Sequence, residues 1–202
     1  MLPGLGLLSL PNAYIAVQRA IGADRLRYIC IDELHLAPGD VVLDVGCGPA
    51  YYLHKLAPGV KYVGYDTSER YIQYARKRFS RDGVDFRCGI FSPESHGSAP
   101  DFTAVMLMGV LHHLSDAECK GLLAAIRGTL AGNGRVISLD TCVTEGIGAT
   151  SRWMAEHDRG KFVRTPEGFS SLASEFFADV EGKTLDGVTR VPSSFWVMQM
   201  RL

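Results

Sequence analysis

The stretch VVLDVGCGPA, residues 41–50, limits the possible folds more than any other part of the chain. An apolar run carrying one acid, Asp44, gives way to Gly46, Gly48 and Ala50 at two-residue intervals. Short apolar runs that end in glycines read as a strand entering a tight turn. Glycine in such a turn leaves no Cβ between the backbone and a ligand, and can present N–H groups toward it. A dinucleotide site would want G-x-G-x-x-G, and Tyr51 stands where the third glycine should be. A side chain that size would crowd the helix against the strand. The pattern is instead D-x-G-x-G-x-A, with the acid two residues ahead of the first glycine.

Along the rest of the chain, apolar runs alternate with amphipathic helical stretches, the sign of parallel β-α units. Strands are predicted at Val41–Val45, Tyr62–Tyr65, Val84 to Ile90 by alternation, Phe102–Met108 and Arg135–Leu139, with two more at Val180–Leu185 and Phe195–Arg201. Ser68 caps a helix bearing Tyr71, Ile72, Ala75 and Phe79 at helical spacing. Ser115 and Glu118 form a capping box for a helix predicted to end near Gly132. Tyr51 and Tyr52 are expected to start a helix after the glycine turn, half-buried. Thr165-Pro166 opens another helix, with Pro at its first position. Residues 1–37 read as two helical stretches and 143–164 as an irregular insertion, both placed as lids on one 202-residue domain. Ligands of open α/β sheets bind beyond the carboxyl ends of the strands, where the strand order reverses.

Composition narrows the function. With 21 Lys+Arg against 22 Asp+Glu, the net charge is −1, so no global field draws the chain to nucleic acid or to a membrane surface. Arg76-Lys77-Arg78 with Arg81 reads as a solvated helix end. The five cysteines are scattered, without a C-x-x-C pair, which argues for reduced thiols in a cytoplasmic setting and against a zinc site. The apolar start MLPGLGLLSL lacks a basic n-region and is too short to span a bilayer.

A second acid, Asp66, closes the next strand in YVGYDTS, 22 residues after Asp44. A carboxylate there suits two ribose hydroxyls, and Asp44 can accept from an ammonium group or from ordered backbone donors. Together they describe a ligand with a ribose at one end and an amino acid at the other.

These residues bring the chain to a known family. It resembles the class I S-adenosylmethionine-dependent methyltransferases, in particular the small-molecule type 11/12 group. The resemblance covers at least residues 40–142 and rests on five matches in order: VLDVGCGPA, YVGYDTS, FRCGIF, VMLMGVLHHL and GRVISLD. It implies a Rossmann-like three-layer α/β sandwich, with a mostly parallel seven-stranded sheet and an antiparallel last strand. It also implies S-adenosyl-L-methionine as cofactor and S-adenosyl-L-homocysteine as product. Gly46, Cys47 and Gly48 would line the methionyl end and Asp66 with Thr67 the ribose. Gly89, Ile90 and Phe91 would flank the adenine, while Met108 and Gly109 pass beneath the sulfonium. By similarity, Tyr14 in the N-terminal lid can close over the cofactor, with Gln18 one helical turn on. The chain departs from the pattern at Ala50, where glycine is commonest, and at Cys88, where an acid or amide usually contacts the adenine.

Methyl transfer needs a nucleophile about 3–3.5 Å behind the methyl carbon, in line with the bond that breaks. A protonated nucleophile is helped by a general base. His112 and His113 follow the fourth strand at the mouth of the expected site; His112 is read as pocket-facing and His113 as mainly structural. Trp153, His157 and Arg159 are further candidates for lining the acceptor pocket. Asp140 closes the fifth strand without the further acid-amide pair that metal-dependent catechol-type members of the resembling family supply, so no catalytic metal is expected. The absence of N/D-P-P-[YFW] and of a Pro-Cys pair after strand four disfavours the nucleic-acid amino and cytosine-C5 chemistries. A small-molecule acceptor fits better than nucleic acid or a membrane. Two alternatives stay open: a same-fold aminopropyltransferase, and a non-catalytic module that only binds the cofactor.

Overall fold

The computed structural model describes residues 9–96, 101–144 and 161–202. Helices α1 (Pro11–Ile21) and α2 (Ala23–Glu33) precede a sheet whose seven strands are β1 Val41–Val45, β2 Lys61–Asp66, β3 Val84–Cys88, β4 Phe102–Met108, β5 Leu130–Cys142, β6 Asp179–Asp186 and β7 Ser194–Arg201. Between strands run α3 (Glu69–Phe79), α4 (Pro93–His96), α5 (Asp116–Thr129) and α6 (Pro166–Ser174). The sheet order is β3-β2-β1-β4-β5-β7-β6. β1 pairs in parallel with both β2 and β4, and β4 with β5, while β7 runs antiparallel to β5 and to β6. This is a Rossmann-like α/β architecture with a mostly parallel sheet, its strand order reversing between β1 and β4.

Period-2 alternation divides the central strands between two cores. Val42, Ala104 and Met106 join Leu26, Cys30, Ile72 and Ala75 on the face covered by α1, α2 and α3. Leu43, Val105 and Leu107 join Cys119, Leu123, Ile126 and Phe169 on the face covered by α5 and α6. A strand covered on both faces must be apolar throughout, which accounts for FTAVMLM. Helix starts follow their caps. Ser68 accepts from the Tyr71 N–H, Ser115 and Glu118 close a reciprocal capping box, and Thr165 accepts from the Gly168 N–H with Pro166 behind it.

Three local expectations are corrected. α5 ends at Thr129 rather than near Gly132, because Leu130 turns extended and pairs with Phe102 at the start of a longer β5. β3 stops at Cys88, two residues short of Ile90, where Gly89 takes φ +141°. No α-helix begins at Tyr51. Ala50 sits at φ +49°, and a single 3₁₀ turn, Leu53–Lys55, follows the two tyrosines. Both tyrosines are buried rather than half-buried, each tied to a carboxylate: Tyr51 OH donates to Asp24 (2.6 Å) and Tyr52 OH to Asp44 (2.8 Å). Trp153, His157 and Arg159, and most of the second lid, lie outside the described residues.

Candidate functional site

Parallel pairing brings the carboxyl ends of β1, β2, β4 and β5 to one edge of the sheet, so the sequence-predicted residues converge there. The turn after β1 is built on positive φ at Gly46 (+74°) and Gly48 (+56°). A Cβ on Gly46 would stand 2.7 Å from Val110 Cγ2, so this position has neither the backbone nor the space for a side chain. The turn's N–H groups are not aimed outward. Those of Gly46 and Cys47 bond the Tyr65 carbonyl (2.8 and 3.0 Å), and that of Gly48 bonds Asp66 Oδ2 (2.8 Å). What the glycines offer a ligand is therefore bare backbone surface. Cys47 turns its sulfur inward against Gly64, where a Cβ would meet it at 2.9 Å.

Asp66 joins the turn to the start of α3, since its Oδ1 accepts from the Ser68 N–H at 2.8 Å. Burial raises its pKa, and the two backbone N–H bonds offset part of that rise. Thr67 beside it is exposed. At the end of β3, Ile90 is 80% exposed, a large apolar side chain left uncovered at the rim. Phe91 instead turns into the core and packs edge-on against Tyr65, ring centroids 5.3 Å apart. At the end of β4, Met108 is buried, and Gly109 takes φ +82° with its N–H bonded to the Leu139 carbonyl (2.7 Å).

Asp44 has no exposed surface. Its Oδ2 accepts from Tyr62 OH (2.6 Å) and Tyr52 OH (2.8 Å), while Oδ1 is buried without a partner among the described residues. Burial pushes this carboxyl up to about 7, against the pull of the two hydroxyls. Nearby, Arg27 of α2 is 8% exposed. It donates to Gln18 Oε1 (3.0 Å) and Tyr14 OH (3.1 Å) and lies over the Tyr51 and Tyr52 rings at 5.7 and 5.8 Å. None of its hydrogen bonds among the described residues goes to a carboxylate, and its Nε is buried without a partner there. A buried guanidinium and an orphaned carboxylate oxygen, both close to the turn, match the two charges of a free amino acid. The residues present fit an adenosyl amino-acid cofactor.

Arg27, Tyr14 and Gln18 line a cavity of about 350 Å³ together with Met108, Gly109, His112 and His113. That volume suits a small molecule. Both predicted histidines line this cavity. His112 is the buried one (6% exposed), its Nδ1 2.8 Å from Asp140 Oδ1, whereas His113 is exposed and stacks on it with ring centroids 4.1 Å apart. Arg27, and the contact between Asp140 and His112, were hidden from sequence reasoning. Arg27 looks like one more helical arginine, and the spacing of Asp140 from His112 says nothing until β4 and β5 are paired.

Residues 42–134 match the family described as methyltransferase domain. The match covers less than half of the chain. The ubiquinone biosynthesis O-methyltransferase of Hahella chejuensis is 35% identical to the chain over 94 residues, 45% of this chain and 40% of the relative. The chain thus spans less than half the length of that curated relative. Among solved structures, human N-acetylserotonin methyltransferase in complex with SAM superposes with TM-score 0.67 at 20% identity, covering 95% of this chain and 54% of that one. A TehB-like SAM-dependent methyltransferase from Corynebacterium glutamicum gives TM-score 0.62 at 20% identity, covering 95% and 97%. At such identities the structures show the fold. No described helix is long and apolar enough to cross a membrane, and no three His, Cys, Asp or Glu side chains among the described residues are grouped to hold a metal ion.

Proposed function

We propose that this protein binds S-adenosyl-L-methionine at the edge of β1 and β2 and methylates a small molecule held in the adjoining cavity, without a metal. The observation that carries the reading is the joint made by Asp66 and the Gly48 N–H, next to Tyr14 of a cavity that Met108, Gly109 and His112 also line. Asp66 and Thr67 take the ribose, and Ile90 with Gly89 covers the adenine. Arg27 takes the carboxylate of the amino-acid tail, with Asp44 Oδ1 opposing its ammonium. Gly46, Cys47 and Gly48 line that tail, Met108 and Gly109 lie beneath the sulfur, and Tyr14 closes from α1. When bound, the cofactor supplies a methyl group on a cationic sulfur and leaves as S-adenosyl-L-homocysteine. The residues of this chain bind and orient the two reactants and exclude water; His112 and His113 stand on the acceptor's side.

The bacterial relative named as an O-methyltransferase supports a small hydroxylated acceptor. A net charge of −1 supports a metabolite over nucleic acid or a membrane surface. All five cysteines are free, four of them buried, which suits a cytoplasmic setting. Residues 1–37 and 143–164 are proposed as lid segments of one domain, α1 and α2 already forming one wall of the cavity. Incubating the protein with methyl-labelled cofactor and a panel of phenols, alcohols and amines tests the reading. Label should pass to a small acceptor with stoichiometric release of S-adenosyl-L-homocysteine. Tight cofactor binding with no transfer to any class of acceptor would favour the binding-module alternative.

A further inference from the structure

We infer that Asp44 makes capture of the cofactor's amino-acid tail pH-dependent, holding a proton in the cofactor-free chain and giving it up to receive the ammonium group; the inference deepens the cofactor reading and rests on it. β1 sets Asp44 between β2 and β4, with Gly64 and Met106 as its register partners. Gly64 has no side chain, and the Tyr62 ring fills that space: a Cβ there would stand 2.9 Å from Tyr62 Cε1 and 3.1 Å from its hydroxyl oxygen. Tyr62 OH thereby reaches Asp44 Oδ2 from β2 (2.6 Å), and Tyr52 OH reaches the same oxygen from beyond the glycine turn (2.8 Å). Both donors are buried, and burial pushes both phenols well above their ordinary range, so neither ionises in place of the acid. With both hydroxyls on Oδ2, Oδ1 is left for the ammonium group, and it has no partner among the described residues.

A carboxylate with no exposed surface needs a cation in contact, or it keeps its proton. The titratable and charged groups that bear on Asp44 are Tyr62 and Asp66 from β2, Cys47 and Tyr52 from the turn, and Arg27 from α2; Met106, its partner on β4, is apolar. Arg27 is the one cation among them, and its hydrogen bonds go to Tyr14 and Gln18 of α1. Asp66 opposes ionisation. Burial outweighs the two hydroxyls and the distant guanidinium, so the carboxyl sits at about 7. The ammonium group of the tail supplies the missing counter-ion. As it binds, the Asp44 proton leaves to solvent, the carboxylate keeps the O–H electron pair, and the ammonium donates to Oδ1 with all its hydrogens retained. Only the ionised acid receives the tail well. At pH 6 about one-tenth of a group titrating at about 7 is ionised, and at pH 8 about nine-tenths. S-adenosyl-L-methionine and S-adenosyl-L-homocysteine share the tail, so falling pH loosens both.

The test needs no acceptor. The full chain is titrated calorimetrically with S-adenosyl-L-homocysteine and with 5′-methylthioadenosine at roughly pH 6, 7 and 8. S-adenosyl-L-homocysteine should bind about tenfold tighter at the highest pH than at the lowest. At neutral pH it should release about half a proton per site, read as the difference between buffers of unlike protonation enthalpy. 5′-Methylthioadenosine, which keeps the ribose and adenine but lacks the tail, should show neither effect. A folded Asp44→Asn should bind S-adenosyl-L-homocysteine more weakly at the highest pH and lose the slope. Equal affinity of the wild-type chain for S-adenosyl-L-homocysteine across the range overturns the proposal, and is read even if the variant does not fold. So does a slope that 5′-methylthioadenosine shares, or one that persists in a folded Asp44→Asn. Absence of S-adenosyl-L-homocysteine binding at every pH would instead strike the cofactor reading itself.

Discussion

Asp44→Asn isolates what it costs to bury a carboxylate in the strand that carries the glycine turn. Burial pushes the Asp44 carboxyl up to about 7 from an ordinary 3.8. An acid raised in this way holds its proton more tightly folded than unfolded. Its stabilising contribution is complete below about 3.8 and is lost as pH rises through about 7. Between those limits the loss runs at about 1.4 kcal/mol per pH unit, or about 4 kcal/mol across the whole span. From pH 5.5 to 8.5 the share from Asp44 is about 2 kcal/mol, finished by about pH 8. Asparagine keeps an acceptor for Tyr52 and Tyr62 and carries no charge, so the variant lacks this slope. Urea unfolding of both proteins at pH 5.5 and 8.5 reads it. Every other titrating group cancels in the difference, which should shift by about 2 kcal/mol in favour of the variant on going to pH 8.5. A wild-type-minus-variant difference that is the same at both pH values would mean that Asp44 ionises in the fold without penalty, and the argument from its burial would be wrong.

Two further outcomes follow from the same residues. Gly46→Ala sets a side chain at φ +74° and drives it to 2.7 Å from Val110, so at least about 1–2 kcal/mol is lost, a fall in Tm of about 2–8 °C for a chain this long. Adding Val110→Ala should recover only the part due to contact, and an unchanged Tm in the single variant would contradict the geometry. Arg27→Met keeps an apolar stem over Tyr51 and Tyr52 but removes the cation. Calorimetry should show S-adenosyl-L-homocysteine weakened at least about tenfold, roughly 1.4 kcal/mol, and 5′-methylthioadenosine, which lacks the amino-acid tail, unchanged. Equal weakening of both ligands would mean that Arg27 supports the fold rather than the tail.

The positions of the strands and the helix starts were legible because apolar period and capping act locally: FTAVMLM can only be a covered strand, and S-x-x-E opens α5 where it stands. Boundaries failed where tertiary contacts overrode local pattern. Leu130 leaves its helix to fill the sheet beside Phe102, and Tyr51 and Tyr52 are held by Asp24 and Asp44 instead of starting a helix. In the candidate site, the glycine turn and Asp66 were readable from spacing. The destination of the turn's N–H groups was not, because Tyr65 accepts two of them only once β1 and β2 are paired. Phe91 shows the same limit, since its motif is visible in sequence but its turn into the core is not. The pairing of His112 with Asp140 joins two strand ends 28 residues apart, which no local pattern encodes.

The central claim is that the β1 turn and Asp66 hold an adenosyl amino-acid cofactor. Calorimetric titration of the full chain with S-adenosyl-L-homocysteine, alongside Asp66→Ala, tests it most directly. The account predicts micromolar binding to the wild-type protein, weakened at least about tenfold by the substitution. No binding to a folded wild-type chain would make VVLDVGCGPA a strand-turn joint and nothing more, and the proposed methyl transfer would fall with it.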